Sequence, residues 1–248
     1  MKYLFGFFIL TLLGCQDSNS KLTADEIVDH AIAYSNKTKL DNNALEFAFR
    51  NYNYSSTPTC DGLKLERESK VEPIRDVLFK DELTRYKNDS VVNLADTTAF
   101  KYYESVNSVH YFMQLPLRLK DEAVNLTDLG AEEIDDDSYY KLKVTFSKNG
   151  GGVDFEDVYI YWFNTEDFSM DYLAYSFLVN GGGLRFRKAI NRRVIDGVVF
   201  QDYENYKPKE KTKDLENIGQ MYDQDQVELL SLIENEDIKL SPIHLDCN

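Results

Sequence analysis

The sequence is poor in the residue types on which most metal and catalytic sites depend. Its 248 residues include three histidines and three cysteines. None of the histidines, His30, His110 and His244, has a second His or Cys at the spacing of metal ligands. No Gly-x-Ser-x-Gly nucleophile motif and no phosphate-binding loop is present. We therefore predict no metal, no cofactor and no catalytic residue, and we interpret the protein as a non-enzyme.

Positive charge and long apolar runs are also scarce. Lys and Arg number 28 against 43 Asp and Glu, which gives a formal net charge of -15. Such a chain is repelled by nucleic acid and by anionic lipid head groups, so we exclude nucleic acid as a partner. Beyond residue 13, no apolar run approaches the roughly 20 residues that a membrane-spanning helix needs. Attachment to a membrane would have to come from acyl chains.

A short apolar segment at the N-terminus predicts export and lipidation. Lys2 precedes an apolar stretch over residues 3–13, which is too short to span a bilayer but fits a signal peptide. The stretch ends in Leu12-Leu13-Gly14-Cys15, which has the form of a lipobox with Cys15 as the lipidated residue. We predict a signal peptide over 1–14, a flexible tether over 15–21 and one domain over 22–248. The alternatives are an ordinary signal peptide or an unprocessed anchor, in which Cys15 occurs by chance.

Lipidation of Cys15 would leave two cysteines, Cys60 and Cys247. In an oxidising, exported compartment an even pair of cysteines can form a disulfide. The other interpretation is two free thiols, one of them near the C-terminus. The sequence leaves both interpretations open.

Three segments carry helical patterns. Thr23 and Glu26 have the spacing of a capping box, ahead of an apolar face that predicts a helix to about residue 37. Residues 105–114 predict a second helix, which Pro116 ends. After residue 207 the charged and apolar residues again favour helix, including the apolar run over 227–233.

The stretch 139–206 predicts a meander of about five antiparallel strands, over residues 139–147, 155–163, 172–179, 184–191 and 198–206. Two of these strands are apolar on both faces. In the second, Ile160 and Trp162 alternate with Tyr161 and Phe163. A sheet that is apolar on both faces needs cover on both, from helices, from a second layer or from a ligand. We therefore predict an α+β fold in which a curved antiparallel sheet is covered by a few helices.

Five cations lie close together within this acidic chain: Arg185, Arg187, Lys188, Arg192 and Arg193. Arg185 and Arg187 share one face of their predicted strand. One interpretation pairs the cations with carboxylates on neighbouring strands. The other places them at the mouth of a cavity, where they bind the phosphate or carboxylate of an amphiphile.

Several motifs resemble those of a known lipoprotein family. They are Ala24-Asp25-Glu26-Ile27-Val28, Ser105-Val106-Asn107-Ser108-Val109, Leu115-Pro116, Tyr161-Trp162, Asp171-Tyr172-Leu173-Ala174-Tyr175-Ser176, Gly182-Gly183-Leu184-Arg185-Phe186-Arg187 and Asn205-Tyr206. On these residues the chain resembles a family of Bacteroidota lipoproteins without an assigned activity, related to the LolA/LolB lipoprotein-carrier superfamily. The resemblance implies a half-barrel, closed by helices, around an apolar cavity that takes acyl chains. A lipid tether departs from the soluble carriers of that superfamily and favours a membrane-bound receptor or sensor.

The sequence thus predicts a lipid-anchored protein of the cell envelope, in the outer membrane, that binds a lipid or a lipidated protein without catalysis. The residues predicted to contact the ligand are Tyr161, Tyr175 and Phe177, with Arg185 and Arg187 at its polar end. One alternative is an envelope scaffold without a ligand. A second is a glycan or lipid hydrolase, which would need two carboxyl groups facing each other in the cavity. The sequence specifies neither the ligand nor the oligomeric state.

Overall fold

The computed structural model describes residues 21–147, 157–178 and 181–247. The predicted signal peptide, Cys15 and the tether up to residue 20 lie outside the described residues, as do residues 155–156 and 179 of the predicted strands. Within the described ranges, no helix is long and apolar enough to cross a membrane.

The first helix begins at the predicted capping box. α1 spans Ala24–Ser35, with Glu26 N donating to Thr23 Oγ1 at 3.3 Å and Thr23 N donating to Glu26 Oε2 at 2.8 Å. Its apolar face, with Ile27, Val28 and Ala31, is buried. A 3₁₀ turn over Lys37–Asn42 then leads into the first strand.

The second helix is longer than predicted. α2 spans Asp96–Gln114 and is followed by Leu115, the cis-bonded Pro116 and a 3₁₀ turn over Leu117–Lys120. The sequence predicted only its C-terminal half, because residues 96–104 have no apolar periodicity. This first half lies largely at the surface, and only Val106, His110, Met113 and Gln114 of the helix are buried.

Seven antiparallel strands form the first sheet, in the order β14-β1-β2-β3-β4-β5-β6. The strands are β1 (Asn43–Phe49), β2 (Tyr52–Thr59), β3 (Gly62–Ser69), β4 (Ile74–Phe79), β5 (Glu82–Lys87), β6 (Ser90–Val92) and β14 (Glu236–Pro242). β5 and β6 are joined by Asn88 and Asp89, whose φ angles of 47° and 58° suit the tight turn of a two-residue hairpin.

Seven further antiparallel strands form the second sheet, in the order β13-β12-β11-β10-β9-β8-β7. The strands are β7 (Val124–Ile134), β8 (Asp137–Phe146), β9 (Tyr159–Asn164), β10 (Met170–Phe177), β11 (Gly183–Ile195), β12 (Val198–Pro208) and β13 (Val227–Ile233). β8 to β12 are the five strands that the meander pattern predicted, with bounds shifted by a few residues at several of their ends.

The two sheets meet at the turn between β13 and β14, which follow each other in the chain but belong to different sheets. Asp202 Oδ1 accepts a hydrogen bond from Asn235 N at 2.9 Å, and Arg193 Nη2 donates to Asn235 O at 2.5 Å. These contacts fix the corner. The result is an open, half-barrel-like arrangement of antiparallel sheets with a few helices, which confirms the predicted fold class.

The second sheet is covered on both faces, as its two-sided apolar strands require. On one face Tyr161 and Phe163 pack in a core with α1. On the other face Ile160 and Trp162 pack with the segment that contains the short helix α3 (Ile218–Asp223). A polypeptide layer, and not a ligand, therefore covers this second face.

The prediction of a helix over residues 227–233 is wrong. These residues form β13, which pairs with β12 and leaves Leu229, Leu230 and Leu232 about half exposed. A short apolar run has no periodicity that separates strand from buried helix. Pairing with the exposed edge of β12 decides the outcome here.

A buried ionic cluster attaches α2 to the first sheet. Asp76, on β4, accepts hydrogen bonds from Arg67 on β3 and from Arg85 on β5, at 2.5–3.1 Å. Arg67 Nη1 also donates to Ser105 Oγ of α2 at 2.6 Å. The Arg85 guanidinium lies 3.3 Å from the ring centre of Tyr102, also on α2. We call Arg67, Asp76 and Arg85 the Asp76 cluster.

Cys60 and Cys247 form a disulfide in the structure. Cys60 lies in the turn between β2 and β3, and Cys247 lies in the tail that follows β14. The bond attaches the C-terminal tail to the end of the β2–β3 hairpin.

Candidate functional site

A cavity of about 680 Å³ lies between α1, α2 and the second sheet. We call it the main cavity. Its size falls within the range of roughly 300–1,000 Å³ that is typical of small-molecule sites. α1 contributes Ala31 and Tyr34, α2 contributes Val109, Phe112 and Met113, and the sheet contributes residues of β9 to β12.

Aromatic rings form one wall of the main cavity. The ring centres of Tyr159 and Tyr175 are 5.4 Å apart and those of Phe112 and Tyr175 are 5.6 Å apart. Phe177 follows at 6.3 Å from Tyr175 on the same face of β10. Contacts at these distances keep the rings packed and present a continuous apolar surface to the cavity.

Four of the five predicted ligand residues line this cavity: Tyr175, Phe177, Arg185 and Arg187. Tyr161 does not line it. It is fully buried, and its hydroxyl is 3.0 Å from that of Tyr111, on α2. Burial raises the pKa of Tyr161 well above its ordinary value. Tyr159 and Tyr161 share a face of β9, and both contact α2. Tyr159 still borders the cavity whereas Tyr161 is fully buried, a difference that β periodicity alone does not specify.

The five clustered cations separate into two groups. Lys188 pairs with Asp135 at 2.5 Å, Arg192 with Asp171, and Arg193 with Asp202 at 3.1 Å. These three fit the interpretation of cross-strand or local ion pairs. Arg185 and Arg187 form no ion pair with any of the residues that the structure describes. Both guanidinium groups instead lie against aromatic rings of the main cavity.

Arg187 is the more deeply placed of the two, with 8% of its surface exposed. Its guanidinium carbon lies 3.9 Å from the ring centre of Phe112, and Nη2 donates to the Tyr175 hydroxyl at 3.0 Å. The buried Nε has no hydrogen-bond partner. Arg185, nearer the surface, lies 4.7 Å from the ring centre of Phe177 and donates to its neighbour's carbonyl, Leu184 O, at 2.8 Å.

A third buried cation, Lys37, also lines the cavity, and the sequence analysis did not identify it. Its Nζ donates to Met113 O at 2.8 Å and lies 3.7 Å from the ring centre of Phe200. Burial, reinforced by the positive charge of Arg193, holds the pKa of Lys37 well below its ordinary value. Because Met113 is in the last turn of α2, Lys37 satisfies a carbonyl at the negative end of the helix dipole. This contact accounts for Lys37 without a ligand.

A second cavity of about 780 Å³ lies on the other side of α2, against the first sheet. The two cavities share Phe100, Ser108 and Phe112 of α2 and Tyr159 of β9. These side chains therefore form the partition between them. The helical pattern of residues 105–114 could not show that a cavity lies on either side of Phe112.

His110 lines the second cavity and is almost completely buried. Its Nε2 is 3.1 Å from Glu66 O, and because a carbonyl only accepts, Nε2 carries the proton. Nδ1 then holds a lone pair and has no partner. Burial, with a smaller contribution from the charge of Arg67, lowers the pKa of His110 to about 4. The imidazole is therefore neutral at pH 7.

The described residues contain no group of three or more His, Cys, Asp or Glu side chains that could hold a metal ion. The main cavity offers instead an aromatic wall with Arg185 and Arg187 beside it, and its lining also includes the charged side chains of Lys37, Lys101, Glu104 and Asp157. That arrangement can bind an amphiphile without any covalent step.

Comparison with known proteins places the chain in a family. The model of a family of unknown function, DUF6503, matches residues 2–235, so the chain belongs to that family. No curated protein matches the chain.

Solved structures share the fold at low identity. A LolA superfamily protein from Nitrosomonas europaea is 13% identical with a TM-score of 0.52, over 90% of this chain and 96% of that one. A DUF1329 family protein from Desulfovibrio piger is 11% identical, also with a TM-score of 0.52, over 87% and 92%. A putative outer membrane lipoprotein-sorting protein domain from Vibrio parahaemolyticus is 11% identical with a TM-score of 0.47, over 88% and 93%. The chain is thus LolA-like in fold.

Proposed function

We propose that this DUF6503 protein is an exported lipoprotein that binds a hydrophobic ligand, either a lipid or the acyl chains of a lipidated protein, without catalysis. The main cavity carries the proposal, because a space of about 680 Å³ lined by aromatic side chains excludes water from an apolar ligand. Tyr175 and Phe177 contact the hydrocarbon, with Arg185 and Arg187 at its polar end. Tyr161 supports the cavity wall from beneath.

The open LolA-like arrangement supports the proposal through geometry. The second face of the second sheet is packed by the chain itself, whereas the face towards α2 leaves room beside Phe112 and Tyr159. A concave site of this size with a mostly apolar lining is typical of small-molecule binding sites. The fold by itself does not specify the function.

Filling the cavity should weaken binding. Ser108 is an exposed α2 residue that lines both cavities, so a Ser108→Trp side chain would occupy ligand space without entering the packed core. We expect affinity for the neutral fluorophore N-phenyl-1-naphthylamine to fall by about tenfold or more, equivalent to roughly 1.4 kcal/mol. Fluorescence titration of the exported protein measures this.

The matched control for this experiment is Thr97→Trp, on the same helix but at an exposed position that lines neither cavity. It should bind the fluorophore like the unsubstituted protein. Equal binding by both tryptophan variants would contradict the assignment of the cavity. So would native mass spectra of protein purified from its own membranes that show no bound lipid.

The anchoring part of the proposal rests on Cys15. We propose that the mature chain begins there, with a diacylglycerol on its thiol, and that this lipid holds the protein in the outer membrane of the cell envelope. Cys15→Ser should move the protein from the membrane fraction to the soluble fraction and remove incorporation of radiolabelled palmitate. An unmodified Cys15 in the exported wild-type chain, read by mass spectrometry of its N-terminal peptide, would refute the lipid anchor.

A further inference from the structure

Arg187 is a buried cation with which no carboxylate of the described residues forms an ion pair, although Glu104 and Asp157 line the same cavity. Taking a charge out of water costs several kcal/mol unless an opposite charge or several hydrogen bonds replace the solvent. Among the residues that the structure describes, Arg187 has one hydrogen-bond partner, the Tyr175 hydroxyl at Nη2, and its Nε has none. A guanidinium offers five N–H donors, so the described residues use only a small part of its capacity.

The chain provides counter-charges for most of its other deeply placed cations. Asp76 lies between Arg67 and Arg85, and Glu132 pairs with Lys141 at 2.7 Å. Lys37, without a carboxylate, is placed at the C-terminal end of α2. On the same strand as Arg187, the neighbouring Lys188, Arg192 and Arg193 each pair with an Asp. In a chain of net charge -15, a missing carboxylate at one buried arginine is not explained by a shortage of acids.

The surroundings of Arg187 fix its orientation. Phe112 lies against the guanidinium plane and the Tyr175 hydroxyl holds Nη2, so the remaining donors have a defined position beside the main cavity. Planar guanidinium groups of this kind bind carboxylates and phosphates in a fork geometry. Arg185 is two residues away on the same face and lines the same cavity.

We propose that the ligand carries an anionic group, a carboxylate or a phosphate, that pairs with Arg187 inside the main cavity, with Arg185 as a second contact. This inference rests on the proposed binding of a hydrophobic ligand and adds that the ligand is an anionic amphiphile. Its hydrocarbon lies against the wall of Tyr159, Tyr175 and Phe177. The ligand supplies the paired negative charge that the described residues do not provide at Arg187.

The test compares three probes that share one hydrocarbon chain: hexadecanoic acid, hexadecyl phosphate and 1-hexadecanol. Each displaces N-phenyl-1-naphthylamine from the exported full chain carrying Cys15→Ser, at pH 8. Because hydrogen bonds to charged groups contribute more than neutral ones, we expect at least one anionic probe to bind about 10- to 100-fold more tightly than the alcohol. The preference between the acid and the phosphate identifies which anion the site takes.

Substitutions on β11 test which residue causes the preference for an anionic probe. Arg187→Met should reduce the ratio of anion to alcohol affinity to about that of a site without charge, and Arg187→Lys should retain part of it because the charge remains. The matched control is Arg192→Gln, which removes one charge from the same strand at a residue already paired with Asp171. It should keep the wild-type ratio. Circular dichroism and thermal unfolding of each variant establish that it is folded.

The outcomes separate the two proposals. If the alcohol binds as tightly as both anionic probes, the anionic ligand is refuted while hydrophobic binding stands. A wild-type ratio in Arg187→Met would refute the role of Arg187. If none of the three probes displaces the fluorophore, hydrophobic binding itself fails.

Discussion

Asp76→Ala should destabilise the protein by about 3–5 kcal/mol, because it leaves two arginines in the interior without their shared counter-charge. Asp76 is fully buried, and the side chains of Arg67 and Arg85 are 5% and 11% exposed. The two arginines also hold α2 through Ser105 and Tyr102. Urea unfolding at pH 7, followed by circular dichroism, measures the loss.

The matched control is Glu66→Gln, which breaks more exposed pairs on β3 and β4, those of Glu66 with Arg75 at 3.1 Å and with Lys64 at 2.8 Å. Surface pairs contribute roughly 0–1 kcal/mol, so the control should remain close to wild type. A loss in Asp76→Ala no larger than that of the control would show that the cluster does not hold the helix.

The Asp76 cluster also makes the free energy of unfolding depend on pH. Burial alone would raise the pKa of Asp76, but hydrogen bonds from Arg85 and Arg67 and their charges lower it on balance. A carboxyl whose folded pKa lies below its unfolded value stabilises the protein above the unfolded value, near 4. That contribution is lost as the pH falls through the folded pKa.

His110 should make the protein less stable in mild acid. Its pKa is about 4 when folded, against roughly 6.5 when unfolded, so the unfolded chain binds the extra proton between these values. Stability is therefore full above pH 6.5 and declines as the pH falls towards 4, by about 3 kcal/mol in all. Urea unfolding of the wild type at pH 7.0 and pH 4.5 should reveal most of this loss.

His110→Gln keeps a donor for Glu66 O but does not titrate, so the difference between its two free energies of unfolding should be smaller by about 2–3 kcal/mol. His244→Gln, at an exposed position in the tail, is the matched control and should behave like the wild type. Identical pH dependence in His110→Gln and the wild type would show that the imidazole does not titrate on unfolding.

The sequence predicted those helices and strands whose deciding residues lie close together in the chain. The capping box of Thr23 and Glu26 specifies the start of α1, because both partners lie within one turn. The alternation of Ile160 and Trp162 with Tyr161 and Phe163 predicted a strand packed on both faces. Because both faces of such a sheet must be covered, the sequence also predicted helices packed on the sheet, and hence the fold class.

Features that depend on distant residues could not be read in this way. The Asp76 cluster joins three strands and α2, and only the strand register brings Arg67 and Arg85 to one carboxylate. The sequence predicted Tyr161 as a ligand contact, but α2 packs over it, with the hydroxyl of Tyr111 3.0 Å from that of Tyr161. The residues of β13 were predicted as helix because these seven residues alone do not show that the edge of β12 is available for pairing.

The first strand of the protein pairs with its last. β1 lies between β2 and β14 in the sheet. Its second neighbour, β14, is complete only when synthesis reaches Pro242. Pairing two strands so far apart in the sequence gives a high contact order, which is typical of slow folding. The early hairpins form before the last strand is available to pair with them. Cys247, the partner of Cys60, follows five residues later. A nascent chain truncated before β14 would therefore lack both the strand and the covalent bond that complete its first sheet.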